Sequence, residues 1–216
     1  MKFAPSLLAA DFGRLLETAQ TVADLSAYLH WDVMDGHFVP NLTVGPVVVN
    51  ALREKLSTPF DLHLMISEPH KYAPQFHIKP GDLISFHMEA VRDPVSVIET
   101  VRDLGARVGL ALKPRTPVRE AELLLSRIDV LVVMSVEPGF AGQSFIPETL
   151  TKIRQAKELI HQKRLRVEIE VDGGVNLQNI REITRAGADI VVAASAVFGQ
   201  EHPRAALEAL QQAASA

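Results

Sequence analysis

His30 and Asp32 stand two residues apart in Tyr28-Leu29-His30-Trp31-Asp32-Val33-Met34, and His63 sits in Asp61-Leu62-His63-Leu64-Met65. In an extended strand, side chains alternate with a period of two. His30, Asp32 and Met34 therefore share one face, and His63 and Met65 share a face of a second segment. Asp172, in Glu170-Val171-Asp172-Gly173-Gly174, offers another carboxylate at the end of an apolar run. Two imidazoles and two carboxylates suit zinc, iron(II), manganese or cobalt without choosing among them. The chain has no cysteine, so any metal site must be made of histidine and carboxylate. A lone strand histidine is more often a hydrogen-bonded core residue, and a lone aspartate at a strand end is often a helix cap. Four such residues together are harder to dismiss. Buried polar groups are costly without partners, and a cation is a partner for all four.

The elements that must position these residues read as an alternation. Short apolar runs at Lys2–Leu7, Tyr28–Met34, Phe60–Met65, Leu83–Met88, Arg107–Leu112, Val130–Val136, Arg166–Val171 and Ile190–Ala194 are predicted strands. Between and after them, helices are predicted at Asp11–Leu25, Pro46–Leu56, Glu68–Phe76, Pro94–Leu104, Val118–Leu125, Pro147–Gln162, Leu177–Ala186 and Pro203–Ala213. Strict alternation argues for a parallel α/β sheet, and eight units argue for a closed (β/α)8 TIM barrel. An open doubly wound sheet would carry a glycine-rich turn after its first strand. Here that stretch is Leu7-Leu8-Ala9-Ala10-Asp11-Phe12-Gly13. In a TIM barrel, catalytic groups lie at the C-terminal ends of the strands. If the His30 and His63 faces point inward, three ligands meet at one rim and Asp172 approaches from across the barrel.

Composition narrows the class further. The 216 residues are 47% hydrophobic and 22% charged with a net charge of −4, which fits one globular catalytic domain over 1–216. No basic patch of the kind nucleic acid needs is present; Lys157–Arg166 interleaves its charges with apolar residues, as a solvated helix face does. No apolar run is long enough for a membrane span or a secretory signal, and a cytoplasmic protein is expected. The alanine-rich end, Gln211–Ala216, is expected to fray.

With these motifs in place, the chain resembles the ribulose-phosphate 3-epimerase family over nearly its whole length. The markers are Ala4-Pro5-Ser6-Leu7-Leu8-Ala9-Ala10-Asp11-Phe12, His30-Trp31-Asp32-Val33-Met34-Asp35-Gly36-His37-Phe38-Val39-Pro40-Asn41, Asp61-Leu62-His63-Leu64-Met65, Pro138-Gly139-Phe140-Ala141-Gly142-Gln143 and Val171-Asp172-Gly173-Gly174-Val175-Asn176. The resemblance implies a barrel of the ribulose-phosphate binding type and an isomerase that interconverts D-ribulose 5-phosphate and D-xylulose 5-phosphate. It implies one divalent metal, zinc first, held by His30, Asp32, His63 and Asp172, with Asp32 and Asp172 as the acid/base pair. Inversion at a carbon needs a proton removed from one face and returned to the other, which two carboxylates can do.

By the same resemblance, Ser6, His63 and Asp172 contact the sugar, Met34, Met65 and Met134 line it, and the loop Gly139-Phe140-Ala141-Gly142 closes over it. The phosphate is expected at Gly173, Gly174, Ala194 and Ser195, in the loops after strands seven and eight near a short helix. A homo-oligomer with a phosphorylated ketose as substrate is expected. Many relatives carry glycine at the positions of Ala141 and Ala194. The Ala141 form also occurs in relatives acting on allulose 6-phosphate, so that epimerase is the nearest alternative. A non-catalytic sugar-phosphate-binding barrel, or a decarboxylase or aldolase of the same fold, an aldolase having Lys113 for its Schiff base, is more distant. Asp35 is out of phase with the inward face and is read as a loop-orienting residue. His87 is read as a supporting residue, Trp31 as packing against helices, and His70, His77, His161 and His202 as surface.

Overall fold

The computed structural model describes residues 1–215. Its eight strands are β1 (Lys2–Pro5), β2 (Leu29–Met34), β3 (Phe60–Met65), β4 (Leu83–His87), β5 (Arg107–Leu112), β6 (Val130–Met134), β7 (Glu168–Asp172) and β8 (Ile190–Ala193). All pair in parallel. Neighbours in sequence are neighbours in the sheet from β2 to β8, and β8 pairs with β1. The ring is joined between β1 and β2 by a bridge of Ser6 with His30. The amides of Ala27 and Tyr28 reinforce it by donating to the Phe3 carbonyl at 3.0 and 3.4 Å. The expected TIM barrel is thus present.

Alternation along each strand sorts the side chains into two cores. Trp31, Phe60, Leu62, Leu64, Phe86, Leu110, Leu131 and Ile169 face outward into the layer between sheet and helices. Ala4, Leu83, Ala111, Val130, Val132, Met134, Ile190 and Val192 fill the barrel itself. Burial of both faces is why the strands read as near-continuous apolar runs. The inward polar residues are then exceptions, stacked at different heights. At the bottom, Glu168 accepts from Lys2 and from Arg107, and Arg107 also donates to the Tyr28 hydroxyl. Above them lie His30, Asp61, Ser85 and Glu170, all fully buried. The register then sets Asp32 beside His63 and Met34 beside Met65.

The helices are α1 (Leu15–Gln20), α2 (Pro46–Arg53), α3 (Pro69–Tyr72), α4 (Pro94–Asp103), α5 (Thr149–Gln162), α6 (Ile180–Ala186), α7 (Ser195–Phe198) and α8 (Pro203–Ser215). Proline opens α2, α3 and α4, where its missing N–H costs nothing. The Asp93 carboxylate caps α4, and left-handed Gly187 ends α6. Several expected helices are shorter or broken. Asp11–Leu25 resolves into a 3-10 turn at Phe12–Arg14, then α1, then a 3-10 turn at Ala23–Leu25. There the Thr21 and Ser26 hydroxyls donate to the carbonyls of Thr18 and Val22, competing with the helical pattern. Glu68–Phe76 switches from α3 to a 3-10 turn because Pro74 has no N–H to donate. Val118–Leu125 is no α-helix but a pair of 3-10 turns, Val118–Ala121 and Leu125–Arg127. Val118 and Ala121, three apart, are both buried by that tighter winding. The alanine-rich end does not fray over 211–215: α8 continues to Ser215, and the Gln211 amide donates to the Leu25 carbonyl at 2.9 Å. Ala216 lies outside the described residues.

Gly109 shows how tightly the barrel interior is filled. A Cβ there would meet the Ser85 Cβ at 2.5 Å and its Cα at 3.0 Å, on the paired strand. Neither backbone can retreat without breaking the ladder. Gly109→Ala is expected to lower stability by roughly 1–3 kcal/mol; an unchanged urea midpoint would contradict this packing.

Candidate active site

Four side chains converge at the upper rim of the barrel. His30 Nε2 lies 3.5 Å from Asp32 Oδ1 and 3.9 Å from Asp172 Oδ2. His63 Nδ1 lies 3.7 Å from Asp32 Oδ1 and 3.2 Å from Asp172 Oδ2. Neither ring nitrogen has a hydrogen-bond partner, though both are buried. A tetrahedral ion with ligands at about 2.0–2.2 Å would set its donors about 3.3 Å apart. The residues present therefore fit a divalent cation, by donor type and by spacing.

The protonation of these groups points the same way. The His30 Nδ1 faces Asp61 Oδ2 at 2.5 Å. A carboxylate there requires a proton on Nδ1 and turns Nε2 towards the cluster. Burial alone would strip a second proton from His30, but the carboxylates of Asp61 and Asp32 hold its pKa well above the ordinary value. Burial likewise pushes Asp32 up, and the neighbouring His30, His63 and Ser6 more than compensate, so it stays ionised. Ser6 Oγ donates to Asp32 Oδ2 at 2.5 Å. The site thus attracts positive charge, which a metal or a proton can supply.

Above the cluster opens a cleft. Asp32 and Asp172 reach it, together with Ser6, Met34, Met65, Met134, Gly139, Phe140, Ala141, Gly142, Gly173, Gly174, Ala194 and Ser195. His63 does not reach its wall: it is fully buried beneath the two carboxylates, among the metal-ligand candidates rather than on the expected sugar surface. The loop after β6 is pinned from both sides. Asn41 Nδ2 donates to the Gly139 carbonyl at 2.7 Å, and Gln143 Nε2 to those of Glu137 and Phe140. Positive φ in this loop falls on Gly139 and Gly142 only, so Ala141 takes an ordinary conformation. Ala194 is also at negative φ, −98°, and α7 follows it. The glycines that cannot be replaced are elsewhere. A Cβ on Gly174 (φ 65°) would lie 2.5 Å from the Phe145 backbone nitrogen, and one on Gly173 would strike Val136.

A family model, ribulose-phosphate 3 epimerase family, matches residues 2–198. The chain belongs to the ribulose-phosphate 3-epimerase family. It is 46% identical over 213 residues to a ribulose-phosphate 3-epimerase of Mycobacterium leprae, covering 99% of this chain and 95% of that one. To that of Escherichia coli K12 it is 43% identical over 199 residues, covering 91% and 88%. Among solved structures it is similar in fold to 3-hexulose-6-phosphate synthase from Salmonella typhimurium, with a TM-score of 0.72, 18% identity and coverage of 100% and 99%. It is likewise similar to KGPDC from Streptococcus mutans in complex with D-R5P, with a TM-score of 0.73, 13% identity and coverage of 99% and 97%. As a member of the epimerase family the protein is an enzyme, an isomerase acting on carbohydrates.

The remaining residues of this epimerase fall into place around the cleft. Asp35 accepts from the amides of His37, Phe38 and Ser67, tying the loop after β2 to the loop after β3. Burial opposes its ionisation, but these amides hold its pKa below the ordinary value. Trp31 faces outward against Phe60, and His70, His77, His161 and His202 are exposed. In the Lys157–Arg166 run, Lys157 pairs with Asp189 and Lys163 with Glu122, as on a solvated face. Lys113 does not line the cleft; its Nζ lies 4.2 Å from the Phe38 ring centre. No described helix is long and apolar enough to cross a membrane. Sequence reasoning passed over Asp61 and Glu170, although each stands two residues before a site residue on the same strand face. Burial, then the nearby Asp61, pushes the Glu170 carboxyl well above its ordinary pKa.

His87 supplies a prediction. Burial lowers its pKa from 6.5 to about 4, so it stays neutral in the fold. Below 6.5 the unfolded chain takes a proton the folded chain refuses. Stability from this residue is therefore full above pH 6.5 and is lost as pH falls to about 4, a change on the order of 3 kcal/mol. Urea unfolding of chelator-treated protein across that window is expected to show the slope, and His87→Gln to flatten it.

Proposed function

We propose that this epimerase interconverts D-ribulose 5-phosphate and D-xylulose 5-phosphate by inversion at C3, with the whole chain acting as one catalytic barrel. The observation that carries the reading is that Asp32 and Asp172, from β2 and β7, border one cleft and also share the donor cluster with His30 and His63. One of the two, as the carboxylate, takes the C3 proton from one face, and the other, as the carboxylic acid, gives its own proton to the opposite face. In the reverse direction they exchange roles. The proton lost lies beside a carbonyl, so charge develops on oxygen in an enediolate. His30, Asp32, His63 and Asp172 would hold a divalent cation, zinc in the first instance and otherwise iron(II), manganese or cobalt, which would supply positive charge to stabilise it.

The cleft supports the rest of this reading. The Ser6 hydroxyl holds Asp32 in an ionised, fixed orientation. Met34, Met65 and Met134 give the reacting carbon an apolar wall with no exchangeable proton. Gly173 and Gly174, both at positive φ, bring backbone close to the place where the phosphate would sit with Ala194 and Ser195. The loop Gly139–Gly142 forms part of the cleft wall, where it could close over the sugar. We further infer a homo-oligomer, because Leu42, Val47 and Val48 expose apolar side chains near one another in sequence.

Asp32→Asn and Asp172→Asn are each expected to reduce turnover by at least about 10²–10⁴-fold with the fold intact. The checks are an assay of ribulose 5-phosphate conversion and of solvent deuterium entering C3. Near-normal rates in either variant would remove that aspartate from the chemistry. The same assay with allulose 6-phosphate decides the length of the sugar: the pentulose phosphate is expected to be the faster substrate. Chelation is expected to abolish activity and added divalent metal to restore it.

A further inference from the structure

His30 has a carboxylate of its own to orient it, Asp61, but His63 does not. The inward residue two positions before His63 on β3 is Asp61 itself, and that is spent on His30. The far nitrogen of His63, Nε2, instead meets the Nε2 of His87 on β4 at 2.9 Å. The two rings are near parallel, with centroids 5.0 Å apart and planes at 25°. Between two ring nitrogens one must donate and the other accept, and which way this runs decides what His63 shows to the cluster. If His87 donates, His63 carries its proton on Nδ1, pointing at Asp172 Oδ2 3.2 Å away, and the site is filled by a proton. If His63 donates, its Nδ1 lone pair faces the same point as the lone pair of His30 and the two carboxylates.

We infer that His87 and Glu89 are positioning residues that hold His63 for a metal. Without a cation in the cluster, Asp172 Oδ2, 3.2 Å away, draws a proton to the Nδ1 of His63; a cation there would take that place and leave the His63 proton on Nε2. That proton would then donate into the Nε2 of His87. The Nδ1 of His87 lies 3.4 Å from Glu89 Oε2, without a hydrogen bond but facing a group that can only accept, which favours the His87 proton there. Glu89 is itself fixed: its Oε1 accepts from the Lys113 amide at 2.8 Å and from the Thr116 hydroxyl. Phe38 covers His87, their ring centres 4.9 Å apart, and keeps the chain dry. The order is then Glu89, His87, His63, cluster, built from the ends of β4 and β3 and running one way. Partners that orient a metal-ligating histidine are typically worth about 10–100-fold in metal affinity.

This rests on reading the four-residue cluster as a metal site, and the experiment separates the two. Zinc affinity is measured by chelator competition on wild-type, Glu89→Leu, His87→Leu and His87→Gln proteins, each checked for a native circular dichroism spectrum. In parallel, the imidazole nitrogens of His87 are assigned by NMR in the zinc-loaded wild type at mildly alkaline pH. The expected results are roughly 10–100-fold weaker zinc binding in both leucine variants, and most of the affinity kept in His87→Gln, whose amide oxygen can accept from His63. Zinc-loaded wild type is expected to carry the His87 proton on Nδ1, a readout that needs no variant. Wild type that binds zinc while Glu89→Leu and His87→Leu bind it equally well would overturn the relay. So would a His87 proton on Nε2 in the zinc-loaded protein. Wild type that binds no zinc would overturn the metal reading, and the relay with it.

Discussion

The structure turns on a deliberate mismatch at the barrel rim. Two imidazole nitrogens without hydrogen-bond partners and two carboxylates face the same point, the imidazoles fully buried and the carboxylates nearly so. Lone pairs and negative charges so arranged repel one another, and burial removes the solvent that would screen them. The pKa of His30, held up by Asp61 and Asp32 against the pull of burial, is the same demand expressed as a proton. A cation relieves it. Much of the barrel interior can be understood as holding these four groups in place until one arrives.

That holding is organised in layers. At the bottom of the barrel, Lys2, Arg107, Glu168 and Tyr28 pair charges near water, where mutual compensation is cheap. In the middle, His30, Asp61 and Glu170 are fully buried, and the carboxyl of Glu170 is driven towards its neutral form. At the top, the carboxylates of Asp32 and Asp172 meet the cleft. The apolar residues between these groups, Ala4, Leu83, Val132 and Ile190, exclude water. With Gly109 and Ser85 in contact across paired strands, the interior leaves little room for any of the polar groups to turn away.

The loops add what the strands cannot. Asp35 binds the loop after β2 to the loop after β3, and Asn41 binds it to the loop after β6. Ser135 Oγ donates to the carbonyls of Asp172 and Gly173, anchoring the turn that carries the second carboxylate. The cleft is thus bordered by loops cross-tied through side-chain hydrogen bonds to backbone. Such ties fix position without depending on long apolar contacts, which suits a surface that must admit a small, highly charged molecule.

The amino-acid sequence by itself determined the architecture and pointed to the four residues that gather at the rim. Alternating apolar runs and amphipathic stretches required eight strand–helix units. The period of two put His30 with Asp32 and His63 with Met65 on common faces, because strand geometry is local. The same rule made Asp61 and Glu170 visible as in-phase neighbours, but nothing local distinguishes an orienting carboxylate from a ligand. Helix lengths were less legible. The broken stretches at Asp11–Leu25 and Val118–Leu125 depend on side-chain hydroxyls and on burial against a barrel whose position the sequence does not state. Only the tertiary structure decided which atoms face each other: that His30 presents Nε2 and His63 presents Nδ1, that His87 stands behind His63, and that His63 lies beneath the cleft rather than on its wall. Those are properties of strand register and barrel closure, set by pairings between residues far apart in the chain.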